Sequence, residues 1–180
     1  MGNPENPKPV KLICGLIAKD RPVFDLTCRI LSRRFGIIDF KSQMIAFDHT
    51  DHYQKEMGVN LKRQFISFQH LAKPEWLIKV KSFANHLETK LSAGPAKSNR
   101  QINIDPGYIS AGKLVLATNK NHQHRIYLGK GIYAEVTLCF TKGRLRPYRW
   151  TYPDYRTEEY INIFNEIRNI YLTQYNEKPK

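Results

Sequence analysis

Two β-rich runs, Arg125 to Leu128 and Ile132 to Phe140, stand on either side of Gly129-Lys130-Gly131, and this arrangement limits the fold more tightly than any other stretch. Closely spaced glycines between strand-forming runs mark a hairpin. The loop length then decides which side chains meet, because a slip of one residue turns every side chain to the opposite face. A three-residue loop sets Leu128 against Ile132 and Ile126 against Ala134, which keeps one face apolar. A two-residue loop would set Leu128 against Tyr133 and mix the faces. The pattern therefore predicts a three-residue loop with Gly131 at positive φ. The other face carries Tyr127 opposite Tyr133 and Arg125 opposite Glu135, with Thr137 and Cys139 further along. On a solvated face an Arg–Glu pair contributes roughly 0.2–1 kcal/mol, which is enough to account for its presence.

The rest of the chain supplies partners for this hairpin. Val10 to Ala18 is nearly all apolar and reads as a buried strand. Asp20-Arg21-Pro22 starts a helix in which Phe24, Cys28, Leu31 and Phe35 fall at helical spacing before Gly36 stops it. Phe40 to Phe47 and Lys62 to Gln69 read as two further strands. Pro74 opens a second helix with Leu77, Val80, Ala84, Leu87 and Leu91 as its core stripe. Ser92 to Asn99 is a linker, and Arg100 to Asp105 a fourth strand. Strand, helix, strand, strand, helix, strand is the order of the ferredoxin-like βαββαβ arrangement, so the chain is expected to be α+β. Lys113 to Thr118 and the hairpin extend that core as a meander or second layer. A C-terminal helix from Glu158 to Gln174 closes it, with Thr157 as N-cap and Tyr160, Phe164, Ile167 and Tyr171 on one face.

A chain of 180 residues, 41% hydrophobic and 25% charged, suits one globular domain over residues 10–180, behind a loose, proline-bearing tail over residues 1–9. No apolar run reaches the roughly 18 residues of a membrane span, and the first residues lack the apolar segment of a signal peptide; a cytoplasmic location and no membrane partner are expected. Cys14, Cys28 and Cys139 are too scattered for a disulfide framework or a zinc cluster. The net charge of +13 makes polyanions the natural partners.

Several motifs fail on inspection. Gly107 to Lys113 has the spacing of a phosphate-binding loop, but Leu114 stands where Ser or Thr would hold magnesium, and a strand follows instead of a helix. Asn119-Lys120-Asn121-His122 has a histidine where a guanine-reading carboxylate belongs. Asp48-His49-Thr50-Asp51-His52 and His122-Gln123-His124 place imidazoles close together but fall short of a complete metal-ligand set. In contrast, Lys142 to Arg156 interleaves Arg144, Arg146, Arg149 and Arg156 with Tyr148, Trp150, Tyr152 and Tyr155. Cations that hold phosphates, alternating with rings that stack on bases, suit nucleotide or RNA; the same rings could equally pin the last helix to the sheet.

Glu56-Met57-Gly58, Asn103-Ile104-Asp105-Pro106-Gly107-Tyr108, Lys113 to Thr118, His124-Arg125-Ile126, Gly131 to Glu135 and Thr151-Tyr152-Pro153-Asp154-Tyr155 resemble the domain-of-unknown-function family 4416 of prokaryotic proteins. The resemblance covers almost the whole chain and implies a single domain of this size, with no known activity. It draws attention to Asp105, Tyr108, Arg125, Tyr133, Glu135, Tyr152, Asp154 and Tyr155, polar positions expected at strand ends and turns.

These segments suggest one site. Arg125 would grip a phosphate or carboxylate, with Lys113, Lys120, His124 and Arg149 nearby and Tyr108, Tyr133, Tyr152 and Tyr155 offering rings. The expected role is binding a phosphate-bearing nucleotide or RNA. An alternative is Mg²⁺-assisted phosphoester or nucleotide chemistry, with Asp105, Glu135 and Asp154 as metal ligands or general base. A second alternative is an interaction scaffold with no small-molecule site, in which the same charged groups are internal ties.

Overall fold

A computed structural model of the chain describes residues 2–48, 53–92 and 99–176. The cluster from His49 to His52 and most of the Ser92–Asn99 linker lie outside the described residues.

Strand β1 (Lys11–Ala18) is buried along its whole length. Its apolar run has no polar alternation because both faces are covered. Leu12, Cys14, Leu16 and Ala18 face α1 (Arg21–Phe35) and α3 (Trp76–Leu91), meeting Phe24, Cys28 and Leu31 from the first and Val80, Ala84 and Leu87 from the second. Ile13 faces the other way, toward α4 (Glu158–Asn176), whose Tyr160, Phe164 and Ile167 pack below it. Thr157 caps α4 as the sequence predicts, its Oγ1 accepting the Tyr160 N–H at 3.3 Å.

The remaining elements are β2 (Ile38–Lys41), β3 (Ile45–Ala46), the short turn α2 (Gln54–Met57), β4 (Lys62–Phe68), β5 (Ile102–Ile109), β6 (Lys113–Thr118), β7 (Ile126–Gly129), β8 (Ile132–Thr141) and β9 (Arg144–Pro147). All strands join one sheet of order β2-β4-β1-β5-β6-β8-β7; β3 also pairs with β4, and β9 with β8. Read from β5, the first four are the fourth, first, third and second strands of the βαββαβ unit, and every neighbouring pair is antiparallel. The chain is thus α+β with a ferredoxin-like core, and the meander extends the same sheet. Among the described residues no helix is long and apolar enough to cross a membrane.

Three local expectations are corrected. Phe40 to Phe47 is not one strand: it breaks at Ser42, whose Oγ accepts the Phe65 N–H at 2.9 Å, so β2 and β3 pair separately with β4. The fourth strand does not end at Asp105 but runs through Pro106, Gly107 and Tyr108 in unbroken register with β1. Proline is tolerated there because the ladder to β6 begins only at Gly107↔Leu116, one residue beyond it. Gly107 is required at that junction, since a Cβ would lie 2.4 Å from the Val115 carbonyl oxygen. The hairpin pairs Ile126 with Ala134 and Tyr127 with Tyr133 as predicted, but Gly129, not Leu128, faces Ile132. The loop is two residues, Lys130 (φ 53°) and Gly131 (φ 71°), and an irregularity at Leu128 absorbs the difference.

Candidate ligand-binding cleft

The same junction opens a cleft. From Pro106 back toward Ile102, β5 no longer bonds to β6, so its backbone needs other partners. Helix α3 provides them: Glu88 Oε1 accepts the Ile104 N–H at 2.6 Å, and Lys81 Nζ donates to the Ile104 carbonyl at 3.2 Å. Two buried side chains therefore stand in for a strand. Burial pushes the Glu88 carboxyl above its usual range. The space between the parted strands has a volume of about 810 Å³.

Arg63 of β4 forms the floor. Its side chain is 3% exposed, with Nη1 donating to Asp105 Oδ2 at 3.0 Å and Nη2 to Asp154 Oδ2 at 3.4 Å. The guanidinium lies 5.1 Å from the Phe47 ring, 5.4 Å from Phe65 and 5.7 Å from Tyr155. Gly15 makes room for it, since a Cβ there would meet Nη1 at 2.6 Å. Asn103 Nδ2 adds a second donor to Asp105 Oδ2 at 2.9 Å. Burial raises the Asp105 pKa, but Arg63 and Lys81 outweigh it, and the carboxyl titrates below the usual aspartate range. The Tyr155 phenol is pushed well up by burial.

Arg125 and Glu135 form the rim. The pair is not a solvated surface contact, since the two side chains are 4% and 3% exposed. Arg125 Nε donates to Glu135 Oε2 at 2.9 Å, Nη1 to the Lys120 carbonyl at 2.9 Å, and Nη2 to the Tyr152 hydroxyl at 2.6 Å. The guanidinium thus spans three groups and fixes the rim, a different role from the free anion grip expected of it. Glu135 also meets His124 Nε2 at 3.1 Å and accepts the Thr137 hydroxyl at 3.2 Å.

On the outer side of this rim is a second, more open groove of about 880 Å³, lined by residues 120–125 with Arg149, Trp150 and Tyr152. Among the described residues its lining includes Lys120, Arg125, Arg149 and two imidazoles, with Glu135 behind Arg125 and His124. Trp150 stacks on Tyr148 (4.6 Å, 5°) and on His124 (5.5 Å, 15°), while its Nε1 donates to the Val136 carbonyl. In the basic–aromatic segment Tyr155 and Trp150 pin the connection to the sheet, while Arg149 and Tyr152 are exposed.

Of the residues singled out from the sequence, Asp105, Lys120, Arg125, Glu135, Tyr152, Asp154 and Tyr155 line the cleft, and His124 and Arg149 the groove. Three lie elsewhere. Tyr108 is one residue off the Gly107 side of β5 and packs toward the helices. Lys113 is at the far end of β6, exposed and opposite Cys139. Tyr133 packs on Tyr127 across the hairpin, with ring centroids 5.2 Å apart. The three carboxylates proposed to share Mg²⁺ are divided, Asp105 and Asp154 on Arg63 and Glu135 on Arg125. Among the described residues no three His, Cys, Asp or Glu side chains gather to hold a metal ion.

Reading the sequence missed Arg63, Lys81, Glu88 and Arg100, although signals existed. Arg63 has the parity of Phe65 along its strand, and Lys81 and Glu88 fall within the apolar stripe of α3. With them, among the described residues five cationic side chains (Arg63, Lys81, Arg100, Lys120, Arg125) face five carboxylates (Glu56, Glu88, Asp105, Glu135, Asp154) around the cleft. The described lining of the cleft is thus charge-balanced in a chain of net charge +13.

Fold and site together define an α+β protein whose ferredoxin-like core carries an extended sheet that forks around a polar, ring-lined cleft. The family model described as Domain of unknown function (DUF4416) matches residues 8–171, and the chain belongs to that family. No curated protein and no solved structure matches it.

Proposed function

We propose that the protein is a binding module for a phosphate-bearing ligand of nucleotide size, with the phosphate in the outer groove and the remainder in the cleft. The observation that carries this reading is the contrast across one shared rim. Lys120, Arg125 and Tyr152 border both spaces, yet among the described residues the groove sets Lys120, Arg125 and Arg149 against the single carboxylate of Glu135 behind its wall, whereas the cleft lining is charge-balanced. A phosphate is attracted to the first and gains nothing from the second. A volume near 810 Å³ lies within the roughly 300–1,000 Å³ usual for small-molecule sites. Tyr53 and Tyr152 offer ring faces, and Asn85, Asn103, Thr118 and Asn119 offer polar edges.

Thermal-shift titrations with nucleoside mono- and triphosphates, inorganic tripolyphosphate and a ten-residue RNA, each at low and high salt, test this. Nucleotides are expected to raise the melting temperature, because a ligand that binds only the folded state stabilises it. Lys120→Glu combined with Arg149→Glu should weaken binding about tenfold or more, on the scale of charge-assisted hydrogen bonds. No shift from any nucleotide, with an unaltered response in the double variant, refutes the reading. Stabilisation by RNA alone, with a steep salt dependence, would replace it with single-strand binding.

A further inference from the structure

We propose that the cleft floor selects its ligand through Asp105 Oδ1, which accepts a hydrogen bond from a hydroxyl group, matching the sugar hydroxyls of a nucleoside. The inference rests on the reading above only in placing a ligand in the cleft.

The Asp105 side chain is 26% exposed, so part of it is open to the cleft. Its Oδ2 already receives Arg63 Nη1 and Asn103 Nδ2, whereas Oδ1 has no donor among the described residues. With Oδ2 held from two sides the carboxylate cannot rotate freely, so Oδ1 is presented in a fixed direction, which lowers the cost of binding a donor. An anionic group is repelled there, so the phosphate end of a ligand faces outward, toward the groove.

Two further atoms separate hydroxyl from amine. Among the described residues, the buried side-chain atoms without a hydrogen-bond partner include Arg63 Nε and the Tyr155 hydroxyl, and Arg63 and Tyr155 line the cleft at 2% and 3% exposure. Buried polar atoms without partners are few in folded proteins. An ammonium group, or the exocyclic amino group of a base, can only donate, to Asp105. A hydroxyl donates to Asp105 and can also accept from a donor of the floor such as the Arg63 N–H or the Tyr155 O–H, each covered to under 1 Å².

The test uses phosphate-free ligands, so that the groove does not enter. The four ribonucleosides, their 2′- and 3′-deoxy forms and inosine are titrated by calorimetry into the wild-type chain and Asp105→Asn, with tripolyphosphate as a separate titrant. The wild type should bind at least one ribonucleoside and lose about tenfold when the 2′- or the 3′-hydroxyl is removed, the scale of one hydrogen bond to a charged group. Asp105→Asn should abolish that difference and leave tripolyphosphate affinity unchanged. Equal binding of ribo- and deoxynucleosides by the wild type overturns the inference, as does failure of every nucleoside to bind at millimolar concentration. Discrimination confined to inosine against adenosine also overturns it, in favour of an amine. If Asp105→Asn does not fold, the wild-type series alone decides. Nucleoside discrimination without tripolyphosphate binding sustains this inference while refuting the phosphate groove.

Discussion

Two cations are buried on the same face of the sheet, at opposite ends of β1, and they are handled differently. Lys11 is fully buried, paired with Asp39 and donating to Gln174 Oε1 at 2.7 Å. Asp39 in turn accepts the Ser67 hydroxyl at 2.6 Å, so this cluster is closed on itself and ties α4 to β1, β2 and β4. Arg63, opposite Ile17, is almost as buried, yet among the described residues its Nε and Oδ1 of its carboxylate Asp105 have no partner, and it borders a cleft. Burying a charge is costly in both places. The contrast teaches that burial alone does not mark a site; a buried charge whose surroundings are left partly unsatisfied does.

The most severe test of this contrast removes each cation. Lys11→Ala should destabilise by about 3–5 kcal/mol in urea unfolding, since it leaves Asp39 without its cation, and Lys11→Met with Asp39→Leu should recover most of the loss. Arg63→Met should cost less, about 1–3 kcal/mol, because water in the cleft can reach Asp105 and Asp154 keeps the Tyr155 N–H at 3.1 Å, but it should also abolish nucleotide binding, which the Lys11 double variant retains. Equal destabilisation with unchanged binding would reduce Arg63 to a structural tie.

A smaller effect lies in pH. The folded-state pKa of Asp105 is below its ordinary value of 3.8, so its contribution is complete above that value and is lost as pH falls through the depressed one. Burial, partly offset by Asp39, lowers the pKa of Lys11 below 10.5. The unfolded chain then holds more protons between the lowered value and 10.5, and stability rises with pH across that window. Melting curves should show a flattened acid limb in Asp105→Asn and a flattened alkaline rise in Lys11→Met. Coincident curves for Lys11→Met and the wild type in the alkaline range would remove Lys11 from this account. Smallest of all, Gly131→Ala should cost about 1 kcal/mol through its positive φ and leave binding untouched, giving a control outside both clusters.

Much of the architecture was legible because it rests on periodicity. The apolar run of β1, the Phe24–Cys28–Leu31 spacing of α1 and the Tyr160–Phe164–Ile167 face of α4 each have one way to be buried. Pro106 and Gly107 misled because they usually end strands; here β6 starts beside them, and only tertiary pairing reveals that. Leu128 misled because a local irregularity restores a register that counting alone would reject. At the site, cross-strand logic found Arg125 with Glu135, and the resemblance to the family drew attention to Asp105 and Asp154. Arg63, the residue that joins the last two, was hidden between Lys62 and Gln64, where a polar triplet reads as surface.

The fork in the sheet has a consequence for assembly. Arg63 reaches Asp105 across 42 positions of sequence and Asp154 across 91, so the floor has no local precursor. Closing such long loops is entropically costly and comes late, after helices and hairpins have formed. A compound lodged on that floor would therefore discriminate finished molecules from nearly finished ones, and its binding would serve as a readout of maturation.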